Sequence, residues 1–471
     1  MEMERKVMAR GDRLSDLPDS ILLHILSMLW WDSKEVVRTS VLSQRWRFLW
    51  KSVPVSLDFE SPNSYGEKDF IASTNRELYY WRSCQKIRSF RGSLFRYDNS
   101  YVKDIDLWVH FATKVANVEE FTLLFVSDNH PKYELPNFAY KNTLLRSLIL
   151  INCELKPSGS VNWSSLEFLS IASLNLTDNM LEKILSGCPN LEHLELDCVL
   201  GISRLEISSV KLTYLSLKDY QNKNPDFSPL EILAPHIKYF ELLGFCDEIR
   251  LRNVASLVSS ILCSSFGYIV DEERNSEAEN GYLKELLHSV AHVEDLELGP
   301  WGIECLSILE LKGWQSPPSS RKYLKLDTAL EQSDFLGICS FLQSSPDLET
   351  LVIEWYNKKR RDMLSRYTNE DEHIKRFKTH NYNCSLLHLK TIKIIDYDGP
   401  LSGNKSVLPL VEYLLKNATT LEKFVIAAKF DGVMCLRIML KWHRSSKAFQ
   451  DPLRMLSCLF VLTIFDSYYL Y

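Results

Sequence analysis

A six-residue unit, apolar-x-x-apolar-x-apolar, recurs through most of this 471-residue chain and limits its fold more than any other feature. The first apolar positions of successive copies are Val118, Leu145, Leu166, Leu191, Leu212, Ile237, Val258, Val293, Arg321, Leu348, Leu389 and Leu421. Arg321 is a degenerate copy, kept because Leu324 and Leu326 follow in register. The spacings are 27, 21, 25, 21, 25, 21, 35, 28, 27, 41 and 32 residues. Self-similarity at roughly 20–29 residues marks stacked repeats, and the longer gaps mark insertions. Within each copy the apolar-x-apolar core reads as a strand with alternate side chains buried. One repeat cannot hide its own apolar face, so neighbours cover it and both ends need caps. The expected class is α/β: a solenoid with a curved parallel sheet and helices outside. Asp178 to Pro189 reads as one such helix, ended by Gly187 and stopped by Pro189. Ser333 to Pro346 repeats that grammar.

Ahead of the repeats, Leu14 to Trp50 reads as three short helices. Pro18 sits early in the first, where its missing N–H costs nothing. Ile21, Leu22, Ile25, Leu26 and Leu29 form one apolar stripe. Asp32, with Glu35 three residues later, predicts the cap of the second helix, and Ser43 the cap of the third. The third helix places Trp46, Leu49 and Trp50 on one face. A unit this small and this rich in Leu, Ile and Trp cannot bury all of it alone, so part of the stripe faces a partner. Residues 59–117 read as a helical connector that caps the solenoid, with helices over Asp69–Trp81 and Val102–Ala116 and a core face of Leu107, Phe111 and Val115.

The N-terminal pattern resembles the F-box: Leu17-Pro18, Ile25-Leu26, Val41-Leu42-Ser43, then Trp46-Arg47-x-Leu49-Trp50, over the whole motif without a gap. VLSQRWRFLW, with the Val53/Val55/Leu57/Phe59 strand after it, is similar to the plant F-box, leucine-rich-repeat and FBD proteins. Leu145-x-x-Leu148-x-Leu150-x-x-Cys153-x-Leu155 matches the leucine-rich repeat. The resemblance implies a tail at 1–11, an F-box at 12–58, leucine-rich repeats at 118–356, a charged insertion at 357–383, an FBD module at 384–452 and an apolar tail at 453–471. In the FBD module, Leu387–Ile394 and Thr420–Ile426 are expected strands flanking a helix at Leu408–Asn417. The family further implies a substrate-recognition subunit of an SCF-type ubiquitin ligase. Leu17, Pro18, Ile21, Ile25, Leu26, Val41, Leu42 and Trp46 would dock a Skp-type adaptor, and through it cullin and RING subunits. The repeats would hold a target protein that one sequence does not name. The alternative is a repeat scaffold not engaged with the ligase.

Composition narrows the function further. A formal net charge of −6 provides no global basic field to recruit nucleic acid or anionic membrane. The first residues have no apolar core of a signal peptide, and the 11 cysteines form no C-x-x-C pair. This usage reads as reduced thiols in cytoplasm or nucleus. The apolar run Leu456–Phe465 falls short of the ~20 residues that span a bilayer.

Catalytic chemistry finds little support. No P-loop, no G-x-G-x-x-G after a strand and no H-E-x-x-H is present. His288 and His292 have helical i, i+4 spacing but no third metal ligand at a sensible distance. No cysteine has a local base. The expectation is a non-catalytic chain with no cofactor and no metal. Lys358–Arg361 reads as a solvated loop or a nuclear import signal, and Asp271–Glu279 as an acidic loop. A small-molecule sensor would need a polar cluster in the strand positions, and none is evident from the repeat pattern.

Overall fold

In the computed structural model the described residues are 14, 17–29, 33–61, 66–82, 86–126, 131–221, 229–266, 276–356, 375, 386–397 and 407–428. They belong to two compact units, residues 1–194 and 195–471, which are taken in turn. The expected tail at 1–11, Asp32, nearly all of the 357–383 insertion and the 453–471 tail lie outside the described residues.

The first unit begins with α1 (Asp19–Ser27), α2 (Ser33–Arg38) and α3 (Trp46–Leu49). Pro18 holds the N-cap position of α1 with φ −56°. Leu22 and Leu26, one turn apart, are buried together with Val36 of α2 and Trp46 of α3. Ser43 is not the cap of α3: Arg45 takes that position with a helical backbone. A side-chain oxygen caps well only from an extended backbone, and the chain enters α3 without one.

The sheet starts earlier than the leucine pattern. β1 (Val55–Glu60), α4 (Glu67–Trp81) and β2 (Ile87–Leu94) come before α5 (Val102–His110). β1 and β2 run parallel with Leu57 opposite Phe90 and Phe59 opposite Gly92. The 59–117 segment is therefore not a purely helical connector, since it contributes a strand of the array. The signal was hidden because Phe90 and Gly92 replace leucines. Gly92 packs closely there: a Cβ would lie 3.2 Å from the Trp108 ring, tighter than an ordinary contact. Along α5 the expected Leu107–Phe111–Val115 face breaks. Phe111 is buried, but Val115 is exposed, and Ile105, Trp108 and Ala112 supply the rest of the core. A π-helical turn over Phe111–Val115 is the cause. Its extra residue per turn rotates everything beyond it by about 100°.

β3 (Glu120–Phe125), β4 (Tyr133–Glu134), β5 (Ser147–Ile151), β6 (Cys153–Glu154), β7 (Phe168–Asn175), α6 (Asp178–Ser186) and β8 (His193–Leu200) follow. Parallel pairing runs β1-β2-β3-β5-β7, with Leu148 opposite both Phe121 and Leu169. α6 is capped by Thr177, whose Oγ1 accepts from the Met180 N–H at 3.3 Å. It ends at Gly187, as its sequence predicts.

The second unit holds β9 (Arg204–Glu206), β10 (Tyr214–Lys218), β11 (Leu230–Leu233), β12 (Tyr239–Cys246), β13 (Ile249–Arg252), β14 (Ser259–Phe266), α7 (Ser276–Ser289), β15 (Asp295–Leu298), α8 (Pro300–Leu311), β16 (Tyr323–Thr328), α9 (Gln332–Gln343), β17 (Thr350–Trp355), β18 (Thr391–Tyr397), α10 (Leu408–Asn417) and β19 (Lys423–Ala428). β10, β12 and then β14 to β19 pair in that order, all parallel. Helices are not the universal return. The short repeats come back through β9, β11 and β13, which pair as a second parallel sheet. Only the longer intervals leave room for α7, α8 and α9. The acidic stretch expected as a loop in part enters α7, and Glu279 there is buried and accepts from Trp301 Nε1 at 3.2 Å.

One frame is corrected. Val258 is exposed, while Leu257, Ser260 and Leu262 are buried, and Ser260 stands opposite Phe240. The copy reads Leu257-x-x-Ser260-x-Leu262. A serine in an apolar slot, beside Val258, Ile261 and Cys263 in the opposite phase, disguised it. Arg321 does occupy its repeat slot and is buried.

A backbone device recurs in the repeats. Asn152, Ser173, Cys198, Asp219 and Gly244 lie seven residues after Leu145, Leu166, Leu191, Leu212 and Ile237, and all have positive φ, from 49° to 70°. This left-handed residue breaks the strand's alternation. In four of the five repeats the next side chain is buried: Cys153, Leu174, Val199 and Tyr220.

Candidate functional site

Eight residues were expected to face a partner from the N-terminal bundle, and the structure divides them. Leu26 and Trp46 are buried, the latter 2% exposed. They cannot offer a docking face while the bundle is folded; they hold its core. Pro18, Ile21, Val41 and Leu42 are exposed, with Val41 at 85%, and Leu17 and Ile25 are half-buried. The division follows helix phase. Leu22 and Leu26 form the inward stripe of α1, and Pro18, Ile21 and Ile25 lie on the adjoining one. Phe48 and Met28, which motif reasoning missed, are also exposed. Phe48 sits off the main stripe, whereas Met28 lies at helical spacing from Ile21 and Ile25 just past the end of α1.

The two exposed groups are tied together. Arg45 donates from Nη2 and Nε to Asp19 Oδ1, at 2.6 and 2.9 Å. Arg45 follows Val41 and Leu42 by a few residues, and Asp19 follows Pro18, so the bond sets that turn beside the start of α1. Trp50 meets Trp81 of α4 edge to face at 5.6 Å between centroids and fixes the bundle to the rest of its unit. Beneath α2, a cleft of about 530 Å³ is lined by Lys34, Arg38, Asp58, Glu60, Phe70 and Trp81 among others.

In the second unit the sheet face opposite the leucines carries a polar network, contrary to the expectation that no such cluster exists. Lys325 Nζ lies 2.9 Å from both Glu297 and Glu354 and 3.6 Å from Asp327. The Cys263 thiol lies 3.6 Å from Glu297 and 3.7 Å from Asp327. Burial pushes the Asp327 carboxyl up to about 6; Lys325 opposes the shift, and Glu297 and Glu354 add to it. Burial also acts to lower the Lys325 ammonium, but its bonds to Glu354 and Glu297 outweigh that and leave it raised. Burial, with Asp327 and Glu297 nearby, raises the Cys263 thiol. The ligand atoms of Cys263, Glu297 and Asp327 lie within 4.8 Å of one another, a metal-like spacing. A protonated thiol is a poor ligand, however, and Lys325 already serves these carboxylates. The signal was present in the repeat frame, since Glu297 and Lys325 both lie four residues after their first position, and Asp327 and Glu354 six.

The histidine pair does not converge. α7 ends at Ser289, before His292. His288 Nδ1 donates to the Lys284 carbonyl at 2.9 Å, and His292 Nε2 to the Val254 carbonyl at 3.0 Å. Among the described residues, no helix is long and apolar enough to cross a membrane.

Comparison with known proteins agrees with this architecture. The family model described as "At1g61320/AtMIF1, LRR domain" matches residues 82–455. The chain is 32% identical over 437 residues to F-box/LRR-repeat protein At3g03360 of Arabidopsis thaliana, covering 90% of this chain and 85% of that protein. Putative F-box/LRR-repeat protein At3g18150 of the same plant is 29% identical over 437 residues, 90% of this chain and 88% of its own length. F-box/LRR-repeat protein 25, also of Arabidopsis thaliana, is 36% identical over 237 residues, 49% of this chain and 86% of its own. With the repeats matched over most of the sequence and relatives aligned along nearly all of it, this chain belongs to the F-box/LRR-repeat proteins.

Proposed function

We propose that the chain is a non-catalytic substrate-recognition subunit of an SCF-type ubiquitin ligase. Its N-terminal bundle, at 12–58, docks a Skp-type adaptor that connects it to cullin and RING subunits. Its repeats hold a target protein near the loaded conjugating enzyme, and the rate gain comes from proximity. Residues 384–452 act in this reading as an FBD-type end of the array, supported by the β18–α10–β19 succession in its described part.

The observation that carries the docking assignment is the exposed apolar pair Val41 and Leu42, held beside Pro18 and Ile21 by the Arg45–Asp19 bond. Leu17 and Ile25 complete the face. Burying five or six such side chains supplies about 1.5–3 kcal/mol each before association costs. Leu26 and Trp46 act indirectly, by keeping the bundle folded.

The test is co-expression of the full chain with a Skp-type adaptor, followed by affinity capture. The parent retains the adaptor. Ile21→Asp with Leu42→Asp loses more than tenfold of it at an unchanged melting temperature. Retention equal to the parent's would overturn the docking assignment. A parent that never captures the adaptor would instead point to a repeat scaffold outside the ligase.

A further inference from the structure

The sheet has a free edge in the first unit. β1 stands first in the strand order and, among the described strands, pairs with β2 alone. The Val55 N–H donates to the Lys86 carbonyl and the Ser61 N–H to the Ser93 carbonyl, both on the β2 side. Alternate residues of a parallel strand bond to the same neighbour, so Leu57 and Phe59 also face β2. The N–H and C=O of Ser56, Asp58 and Glu60 therefore point the other way. Ser56 is buried, but Asp58 and Glu60 are exposed, and no backbone group among the described residues pairs with them on that side. Such a row of donors and acceptors is a template for another strand. The cleft of about 530 Å³ beneath α2 runs along it, for its lining includes Leu57, Asp58, Phe59 and Glu60 in succession. Alternate side chains of a strand point to opposite faces, so four consecutive residues reach one cleft only from the strand's edge. Phe70 and Trp81 of α4 add to its apolar wall. Thr74 lines it too; it is 2% exposed, and among the described residues its hydroxyl has no hydrogen-bond partner. A buried hydroxyl in that condition is short of a partner.

We propose that this edge binds an extended segment of a partner protein, which adds a strand beside β1. Its backbone pairs with the N–H and C=O of Asp58 and Glu60. Its side chains alternate. Those on one side are apolar and enter the cleft against Phe59, Phe70 and Trp81. Those on the other stand beside the carboxylates of Asp58 and Glu60. Asp58 already meets Arg91 at 3.4 Å, whereas Glu60 has no ion pair among the described residues and suits a lysine or arginine of the segment. Main-chain bonds supply the affinity, and the cleft selects the side chains. The cleft's volume lies within the roughly 300–1,000 Å³ of pockets that hold ligands. A small molecule would leave the donor–acceptor row unused, which favours a peptide. None of Pro18, Ile21, Val41 and Leu42 lines the cleft, so the proposal does not depend on the adaptor-docking reading.

The probe is a labelled peptide alternating valine and lysine, titrated onto the full chain by fluorescence anisotropy. Two counterparts have the same length and charge: one replaces valine by glycine, the other carries N-methyl groups on alternate residues of its backbone. The valine–lysine probe binds, and each counterpart binds at least tenfold more weakly. Asp58→Pro removes one edge donor and keeps the bonds to β2, a place where proline is tolerated. It weakens the probe at least tenfold. Ser73→Phe, at an exposed position of α4 on the cleft's lining, narrows the cleft without touching the core and weakens the probe at least fivefold. Should Asp58→Pro unfold the chain, Ser73→Phe decides alone. Glu182→Gln, on the exposed side of α6, leaves binding unchanged. Equal binding of the parent probe and its N-methylated counterpart, or parental binding by Ser73→Phe, would sink the proposal. So would a synthetic peptide of residues 2–13 that binds more tightly than the probe, since the edge would then belong to the chain's own tail.

Discussion

The guanidinium of Arg321 lies over the ring of Phe341, 4.5 Å from its centroid, in a slot that other repeats fill with an aliphatic side chain. Arg321 is buried, donates from Nη1 to Ser345 Oγ at 3.5 Å, and leaves Nε without a partner. Burial pulls its guanidinium down to about 10. A buried charge held this loosely costs stability. Arg321→Leu therefore raises unfolding stability by about 1–2 kcal/mol. Phe341→Ala lowers it by about 3–5 kcal/mol through the cavity it opens. Chemical denaturation checks both, and a lower midpoint for Arg321→Leu would contradict the argument.

The N-terminal bundle separates apolar side chains that hold its core from apolar side chains left exposed. Leu26→Ala costs about 2–5 kcal/mol, because Leu26 has no solvent-exposed surface to lose. Val41→Ala stays within about 0.5 kcal/mol. Thermal melts of the two variants are expected to differ accordingly; equal losses would mean that Val41 packs against something in the free chain.

Asp327 gives a pH signature. Its folded carboxyl lies near 6, above the usual carboxylate value of 3.8. A raised pKa means the folded chain binds this proton more tightly than the unfolded one. The associated stability is fully present below about pH 3.8 and is lost as pH rises through 6. Asp327→Asn carries no such proton. The parent's stability relative to Asp327→Asn is expected to fall between pH 4 and pH 7, and a constant difference in melting temperature across that range would refute it.

Gly244 has φ +70°, and a Cβ on it would lie 2.3 Å from Asp219 Oδ1, which accepts from the Phe245 N–H at 2.8 Å. Gly244→Ala both strains the backbone and displaces that carboxylate, at a cost of about 1–3 kcal/mol. At Ser173, whose φ is already +56° with a side chain, the change to glycine is tolerated within about 1 kcal/mol. Paired melts of the two variants decide it.

The sequence was most legible where burial and spacing coincide. Leu145, Leu148 and Leu150 fall where periodicity puts them, and so do α4, α6, α9 and α10 within a few residues. It misled where a core slot holds an atypical residue. Ser260 shifted a frame by one, and Gly92 hid a strand. The π turn at Phe111–Val115 changed phase with no mark in the residue pattern. Among the eight residues expected to dock, the motif did not say which way each one points: Leu26 and Trp46 are buried, while Pro18, Ile21, Val41 and Leu42 are exposed. The acid network around Lys325 is marked in the sequence only by shared repeat positions, since Glu297 lies 28 residues before Lys325 and Glu354 29 after it, and the strand register is what brings them together.

The left-handed residue seven positions into five of the repeats has a consequence for how such a chain can diversify. Where the next side chain turns inward, as at Cys153, Leu174, Val199 and Tyr220, the outward stretch of that rung ends there. Residues within that stretch can be exchanged, or rungs added, while the apolar lattice beneath them stays untouched.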